Sequence, residues 1–240
     1  MYECSLWLQL MTTASIEGFF VGPLQMRCSI VCCKRTAATV IIDGGDEAAR
    51  LIEWIDSING EVVALLNTHA HFDHSGAIPE LLEKYDVEWY LHEGDHHLQS
   101  TARISAAAWG LAVPEPAIPT KTFEHGDELV FGDLCFEVRH APGHSLGSVC
   151  LILRTNEGEA DHAFVGDVLF AGGVGRTDLP DSGGSWPLLK QSIEEQLFTL
   201  ADDTIVYPGH GPLTTIGEEK QSNPFVGKAA MDVRIRGSYL

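Results

Sequence analysis

The sequence predicts an α/β sandwich, two β-sheets packed together with helices on their outer faces. Three observations carry this. Short β-branched apolar runs alternate with segments of helical period along the 240 residues. The order strands, helix, strand, polar loop, helix occurs in both halves. No long Pro/Gly/Ser-rich linker divides the chain, so one domain is expected over residues 15–240, after an extension over residues 1–14.

Residues 16–21, 28–33 and 38–43 are apolar and rich in β-branched residues. Gly-Pro and Lys-Arg-Thr turns separate them, and they predict three strands of a meander. From Asp46 the spacing predicts a helix with Ala49, Ile52, Ile55 and Ile58 on one face, capped by Asp46 or a neighbour and ended by Gly60. Residues 62–66 predict a buried strand. Residues 75–85 predict a helix through Ile78, Leu81 and Leu82, residues 88–91 a strand, and residues 94–108 another helix. Pro114, Pro116 and Pro119 mark a loop. In the second half, residues 129–131, 135–140, 148–153 and 163–165 predict strands. Residues 186–200 predict an amphipathic helix and 204–207 a last strand.

Composition narrows the function. With 45% hydrophobic and 20% charged residues, the chain can bury a sizeable core. Its 34 acidic and 15 basic side chains leave a formal charge of −19, which repels nucleic acids and anionic membranes. Cys4, Cys28, Cys32, Cys33, Cys135 and Cys150 form no Cys-x-x-Cys pair, and Cys32–Cys33 read as buried strand residues. Residues 1–14 lack the basic residues of a secretory leader, and no run approaches a membrane span. Free thiols in a cytoplasmic protein are the expectation.

The polar loops carry the chemistry. Residues 68–75 read Thr-His-Ala-His-Phe-Asp-His-Ser, with His69, His71, Asp73 and His74 directly after a predicted strand. Imidazole and carboxylate are ligands for zinc and iron-like metals. Three later strand ends are similar, each with a polar residue beside glycine: Pro-Gly-His144, Gly-Asp167 and Pro-Gly-His210. Together they offer five histidines and two aspartates, enough for two metals. Asp43 is either a support for the histidine loop or the turn residue of its own Asp-Gly-Gly. His92, His96, His97, His125, His140 and His162 are expected in surface or hydrogen-bonding roles; adjacent His96 and His97 point apart on a helix.

These motifs, in this order, resemble the metallo-β-lactamase-fold hydrolases, whose fold is an αββα four-layer sandwich of two mixed sheets. Gly-Arg-Thr-Asp178-Leu-Pro and the segment from Pro208 to Asn223-Pro are similar to the single-domain glyoxalase II-like (hydroxyacylglutathione hydrolase-like) branch. The resemblance implies that His69, His71 and His144 hold one divalent metal, that Asp73, His74 and His210 hold a second, and that Asp167 bridges them. It implies Asp73 as the group that orients the attacking hydroxide or takes its proton. Zinc is the expected metal, with iron or manganese as alternatives. The implied substrate is a small acyl thioester such as S-lactoylglutathione, with no nucleic-acid or membrane partner. The alternatives are a mono-iron persulfide dioxygenase using His69, His144 and Asp167, or another hydrolase of the fold, a lactamase or phosphodiesterase. Arg176 and Asp178 are expected to form an ion pair or loop brace near the site. Beyond His210 the basic residues are Lys220, Lys228, Arg234 and Arg236.

Overall fold

The computed structural model describes residues 14–230. β1 (Ala14–Val21), β2 (Met26–Cys33) and β3 (Ala38–Ile42) form the expected antiparallel meander. Ala14 opens β1; the rest of the extension expected over residues 1–14 lies outside the described residues. α1 (Ala48–Ser57) follows. It buries Ala48, Leu51 and Ile55, so the expected face is turned: Ala49 and Ile58 are exposed and Ile52 only half-buried. The cause lies at Glu47, whose φ of 54° turns the chain into the helix and sets which row meets the sheet. No side chain caps α1; Asp46 instead accepts the N–H of Glu47.

β4 (Glu61–Leu66) lies parallel to β3. The helix expected over residues 75–85 is two helices, α2 (Phe72–Ser75) and α3 (Ile78–Tyr85). Gly76 breaks them apart by admitting the Gly45 carbonyl, which a Cβ would meet at 2.6 Å, and Ala77 donates its N–H to Gly44 at 3.0 Å. β5 (Glu88–Tyr90) pairs parallel with β4 and completes a mixed sheet ordered β1-β2-β3-β4-β5. The helix expected over residues 94–108 is also divided. A 3₁₀ turn at Glu93–Asp95 leads to α4 (His96–Ser100) and α5 (Ala102–Ala108), with the Thr101 hydroxyl donating to the carbonyls of His97 and Leu98 between them.

The second sheet contains β6 (Glu128–Phe131), β7 (Leu134–His140), β8 (Val149–Leu153) and β9 (His162–Gly166). A small hairpin of β10 (Leu169–Phe170) and β11 (Gly173–Val174) follows, too short to show an alternating pattern in the sequence. α6 (Trp186–Ser192) widens into a π-helical turn over Ile193–Leu197, short of the expected end at residue 200. β12 (Ile205–Pro208), β13 (Thr214–Thr215) and α7 (Ile216–Ser222) close the described chain. The order is β13-β12-β9-β8-β7-β6, antiparallel except for β12 on β9.

Side-chain alternation turns these two mixed sheets into four layers. In β8, Val149, Leu151 and Leu153 join Val40, Leu66, Phe136 and Phe164 between the sheets. The intervening Cys150 and Ile152 face outward onto Leu189, Ile193 and Leu197. On the other outer face, Ile41 and Leu65 pack with Leu51, Ile55 and Leu81. Cys28, Cys32, Cys33 and Cys150 are buried free thiols. No helix among the described residues is long and apolar enough to cross a membrane.

Candidate metal centre

β4, β7, β9 and β12 present their C-terminal ends at one edge of the sandwich. His69 and His71 lie on the loop after β4, and Asp73 and His74 on α2 immediately beyond. His144, Asp167 and His210 follow β7, β9 and β12. All seven residues singled out in the sequence meet here. Three sets have ligand atoms within 4.8 Å of one another: His69, His71 and His144; Asp73, His74 and His210; and His69, His74 and Asp167. Asp167 reaches both sides, with Oδ2 3.6 Å from His144 Nε2 and 3.7 Å from His210 Nε2, and Oδ1 3.4 Å from His74 Nε2.

Hydrogen bonds behind the rings decide which nitrogens face inward. His144 Nδ1 donates to the Arg176 carbonyl at 2.7 Å and His210 Nδ1 to the Leu24 carbonyl at 3.2 Å. Asp43 Oδ2 accepts from His74 Nδ1 at 3.0 Å and from the Thr68 hydroxyl at 2.7 Å. That hydroxyl, its proton committed, accepts from His69 Nδ1 at 3.2 Å. Each of these four rings therefore turns Nε2 inward. His69 Nε2, His144 Nε2 and His71 Nδ1 converge to 2.9–3.2 Å. Lone pairs gathered so closely fit a cation, and so do the buried His74 Nε2 and Asp167 Oδ1, which have no hydrogen-bond partner. Asp43 is thus a support for the histidine loop, fixed further by the Thr68 N–H on its Oδ1 at 2.7 Å.

The electrostatics divide the cluster the same way. Burial, then the neighbouring rings, push His69 well below the ordinary histidine value and His71 down to about 3; burial also lowers His144. These imidazoles are neutral donors. Burial would lower His74 too, but Asp167, Asp73 and Asp43 hold it well above the ordinary value; burial would also lower His210, but hydrogen bonding to Asp73 together with the Asp167 charge raises it. Burial would raise Asp167 and Asp73, yet the imidazoles, His74 foremost, keep both below the usual carboxylate range. A divalent cation held by these carboxylates and imidazoles would take the place of such protons.

The arrangement agrees with the sequence comparison. The family model of the metallo-beta-lactamase superfamily matches residues 21–210. The chain belongs to that superfamily. The hydroxyacylglutathione hydrolase GloC of Haemophilus influenzae is 40% identical over 214 residues, covering 88% of this chain and 98% of the relative. A solved structure of the B3 metallo-beta-lactamase BLEG-1 is 36% identical with a TM-score of 0.80, covering 88% of this chain and 99% of that one. The structure of TTHA1623 in a di-iron-bound form is 41% identical with a TM-score of 0.77, covering 87% and 99%.

Within this metallo-beta-lactamase sandwich, two supporting residues escaped sequence reading. Asp95 is buried and accepts from Ala70 N at 3.0 Å, Ser145 Oγ at 2.8 Å and Gly147 N at 2.6 Å. It ties the His69–His71 loop to the His144 loop. Asn67 donates to the carbonyls of His69 and His74 and accepts from Trp89 Nε1 at 2.9 Å. Neither lies in a ligand motif; the signal was only a polar residue at the end of an apolar strand, for Asn67, and none for Asp95. Arg27 links the sheets, donating its backbone N–H to Gly209 at 2.7 Å and its side chain to Gly211 at 2.9 Å.

The histidines expected elsewhere stay outside the cluster. His92 and His140 stack at 4.1 Å, His125 Nδ1 accepts the His140 N–H, His162 pairs with the Tyr207 hydroxyl, and His96 and His97 are exposed on α4. Arg176 and Asp178 form the expected ion pair, at 2.9 and 3.0 Å. The glycine of the last motif serves proximity: a Cβ on Gly209 would lie 2.4 Å from Asp167 Oδ1 and 2.6 Å from His74 Cε1. Gly209→Ala is expected to weaken metal binding about tenfold or more with little change in secondary structure. Metal titration followed by circular dichroism checks both halves, and unchanged affinity contradicts the close fit.

Proposed function

We propose that the chain is a binuclear metal-dependent hydrolase that cleaves acyl thioesters. The observation that carries the binuclear part is the division of seven donors into two three-residue sets with Asp167 between them. His69, His71 and His144 are assigned to one ion, Asp73, His74 and His210 to the other. Likeness to a hydroxyacylglutathione hydrolase supports the thioester as substrate. Two divalent cations held there supply a water of lowered pKa as nucleophile and draw charge from the carbonyl oxygen. Asp73, lining the cavity with Oδ2 3.3 Å from His210 Nε2, orients that water and takes its proton. Phe72 and Leu24 add apolar surface to the cavity beside Asp73. Zinc is the first metal to load; iron and manganese accept the same donors, and iron is the metal named for the TTHA1623 structure.

The test is hydrolysis of S-lactoylglutathione and simpler acyl thioesters by protein loaded with each metal, with bound metal counted per chain. The expected result is two ions per chain and thioester cleavage far above the chelated protein. No cleavage of any thioester overturns the reading, as does one iron per chain with oxygen uptake on glutathione persulfide. The likeness to BLEG-1 favours a second reading, β-lactam hydrolysis. A chromogenic cephalosporin in the same assay decides it, the faster substrate naming the activity.

A further inference from the structure

The cavity over the cluster, about 730 Å³, is walled by side chains that metal binding does not need. Ile104 of α5 and Trp109 just beyond it form one wall. They are 73% and 56% exposed, large apolar side chains facing solvent at the cavity. Phe170 and Val174 of the β10–β11 hairpin, with Leu179 after it, line the cavity as well. Arg176 is the only Lys or Arg among the described residues that line it, and its Nε and Nη2 are both committed to Asp178. Asp181 adds an acidic group to the lining. Lys220, beyond His210, is held by the Leu200 carbonyl and Asp202. A conjugate bearing two carboxylates would lose hydration here and meet a single Lys or Arg side chain in the described lining, Arg176, already paired with Asp178, within a chain of formal charge −19. An apolar group would shed water against aromatic and aliphatic surface.

Building on the thioester-hydrolase reading, we infer that this cavity is an acyl-binding subsite, and that the preferred substrate is an uncharged thioester with a long apolar acyl group. Ile104 and Trp109 set the preference for acyl length. In the reaction, water's oxygen bonds to the acyl carbon, the carbon–sulfur bond breaks, and the products are the carboxylic acid and the thiol.

The experiment compares kcat/KM for acetyl, butyryl and octanoyl thioesters of N-acetylcysteamine with that for S-lactoylglutathione, on metal-loaded protein. Calorimetry in parallel measures binding of the matching ketones, in which a methylene replaces the sulfur. The expected result is a rise of roughly tenfold or more in kcat/KM from acetyl to octanoyl, scaled from methylene burial, with S-lactoylglutathione below octanoyl. Ketone affinity should follow the same order. In Trp109→Ala and Ile104→Ala the octanoyl-to-acetyl ratio should contract severalfold, for both kcat/KM and ketone affinity; both side chains are exposed, so the fold tolerates their loss. Ketone affinity independent of chain length overturns the inference, as does a kcat/KM highest for S-lactoylglutathione. Length-dependent ketone binding without cleavage of any thioester would retain the subsite and remove the hydrolase reading instead.

Discussion

Replacing Asp167 with alanine is expected to lower kcat/KM by roughly a thousandfold or more and to reduce bound metal below the wild-type content. Its carboxylate lies beside both three-residue sets, with Oδ1 3.4 Å from His74 on one side and Oδ2 3.6 Å from His144 on the other. Without it, the two sets would share no carboxylate that could help to hold a cation on either side. The carboxylate also balances His74 and His210, whose pKa values it helps to raise. The measurement is elemental analysis of dialysed protein beside thioester turnover. Asp167→Asn separates charge from shape: it keeps the volume and one acceptor oxygen, and should recover little of either quantity. Full metal occupancy in the alanine variant contradicts the bridging assignment.

Asp95→Ala is expected to cost stability on the order of 2 kcal/mol or more, because it strands two buried backbone donors at about 1 kcal/mol or more each and removes one partner of a third. That is a large share of the stability of an ordinary domain. The N–H groups of Ala70 and Gly147 and the Ser145 hydroxyl all end on this one carboxylate, though Ser145 retains Ser148 as a second contact. Burial pushes the Asp95 carboxyl up in pKa, which marks how completely it is removed from water. Urea denaturation of metal-stripped protein reads the cost without any contribution from bound ions. Metal affinity should fall as well, since Asp95 holds the His69–His71 loop against the His144 loop. An unfolding midpoint within error of the wild type would remove Asp95 from that role.

The contrast between these two aspartates shows what the sequence discloses. Asp167 sits at a strand end beside glycine, in a chain with three other such polar strand ends, and strand C-termini are where open α/β sheets expose function. Asp95 occupies a Glu-Gly-Asp turn after β5 and owes its partners to two distant loops that only the folded chain brings to it. The same distinction governs the elements. β8 was legible because its apolar run is long enough to read as a strand between two packed layers. The α2–α3 break was not, because its cause is the approach of the Gly44–Gly45 backbone from another part of the chain. The rotation of α1 likewise follows from a single left-handed residue, Glu47, which no apolar period reveals.

The way the seven donors are shared has a thermodynamic consequence. Four come from the segment that follows β4 and three from strand ends of the opposite sheet, and Arg27 already holds the Pro-Gly-His210 turn against the first sheet. Neither half of the sandwich carries a complete second set, since His210 must join Asp73 and His74. Ion affinity and the docking of the halves are therefore linked quantities: whatever loosens the seam weakens binding, and binding tightens the seam by the same free energy. Substitutions deep between the sheets, at Phe136 or Leu66, would then register as losses of affinity at an edge they never touch.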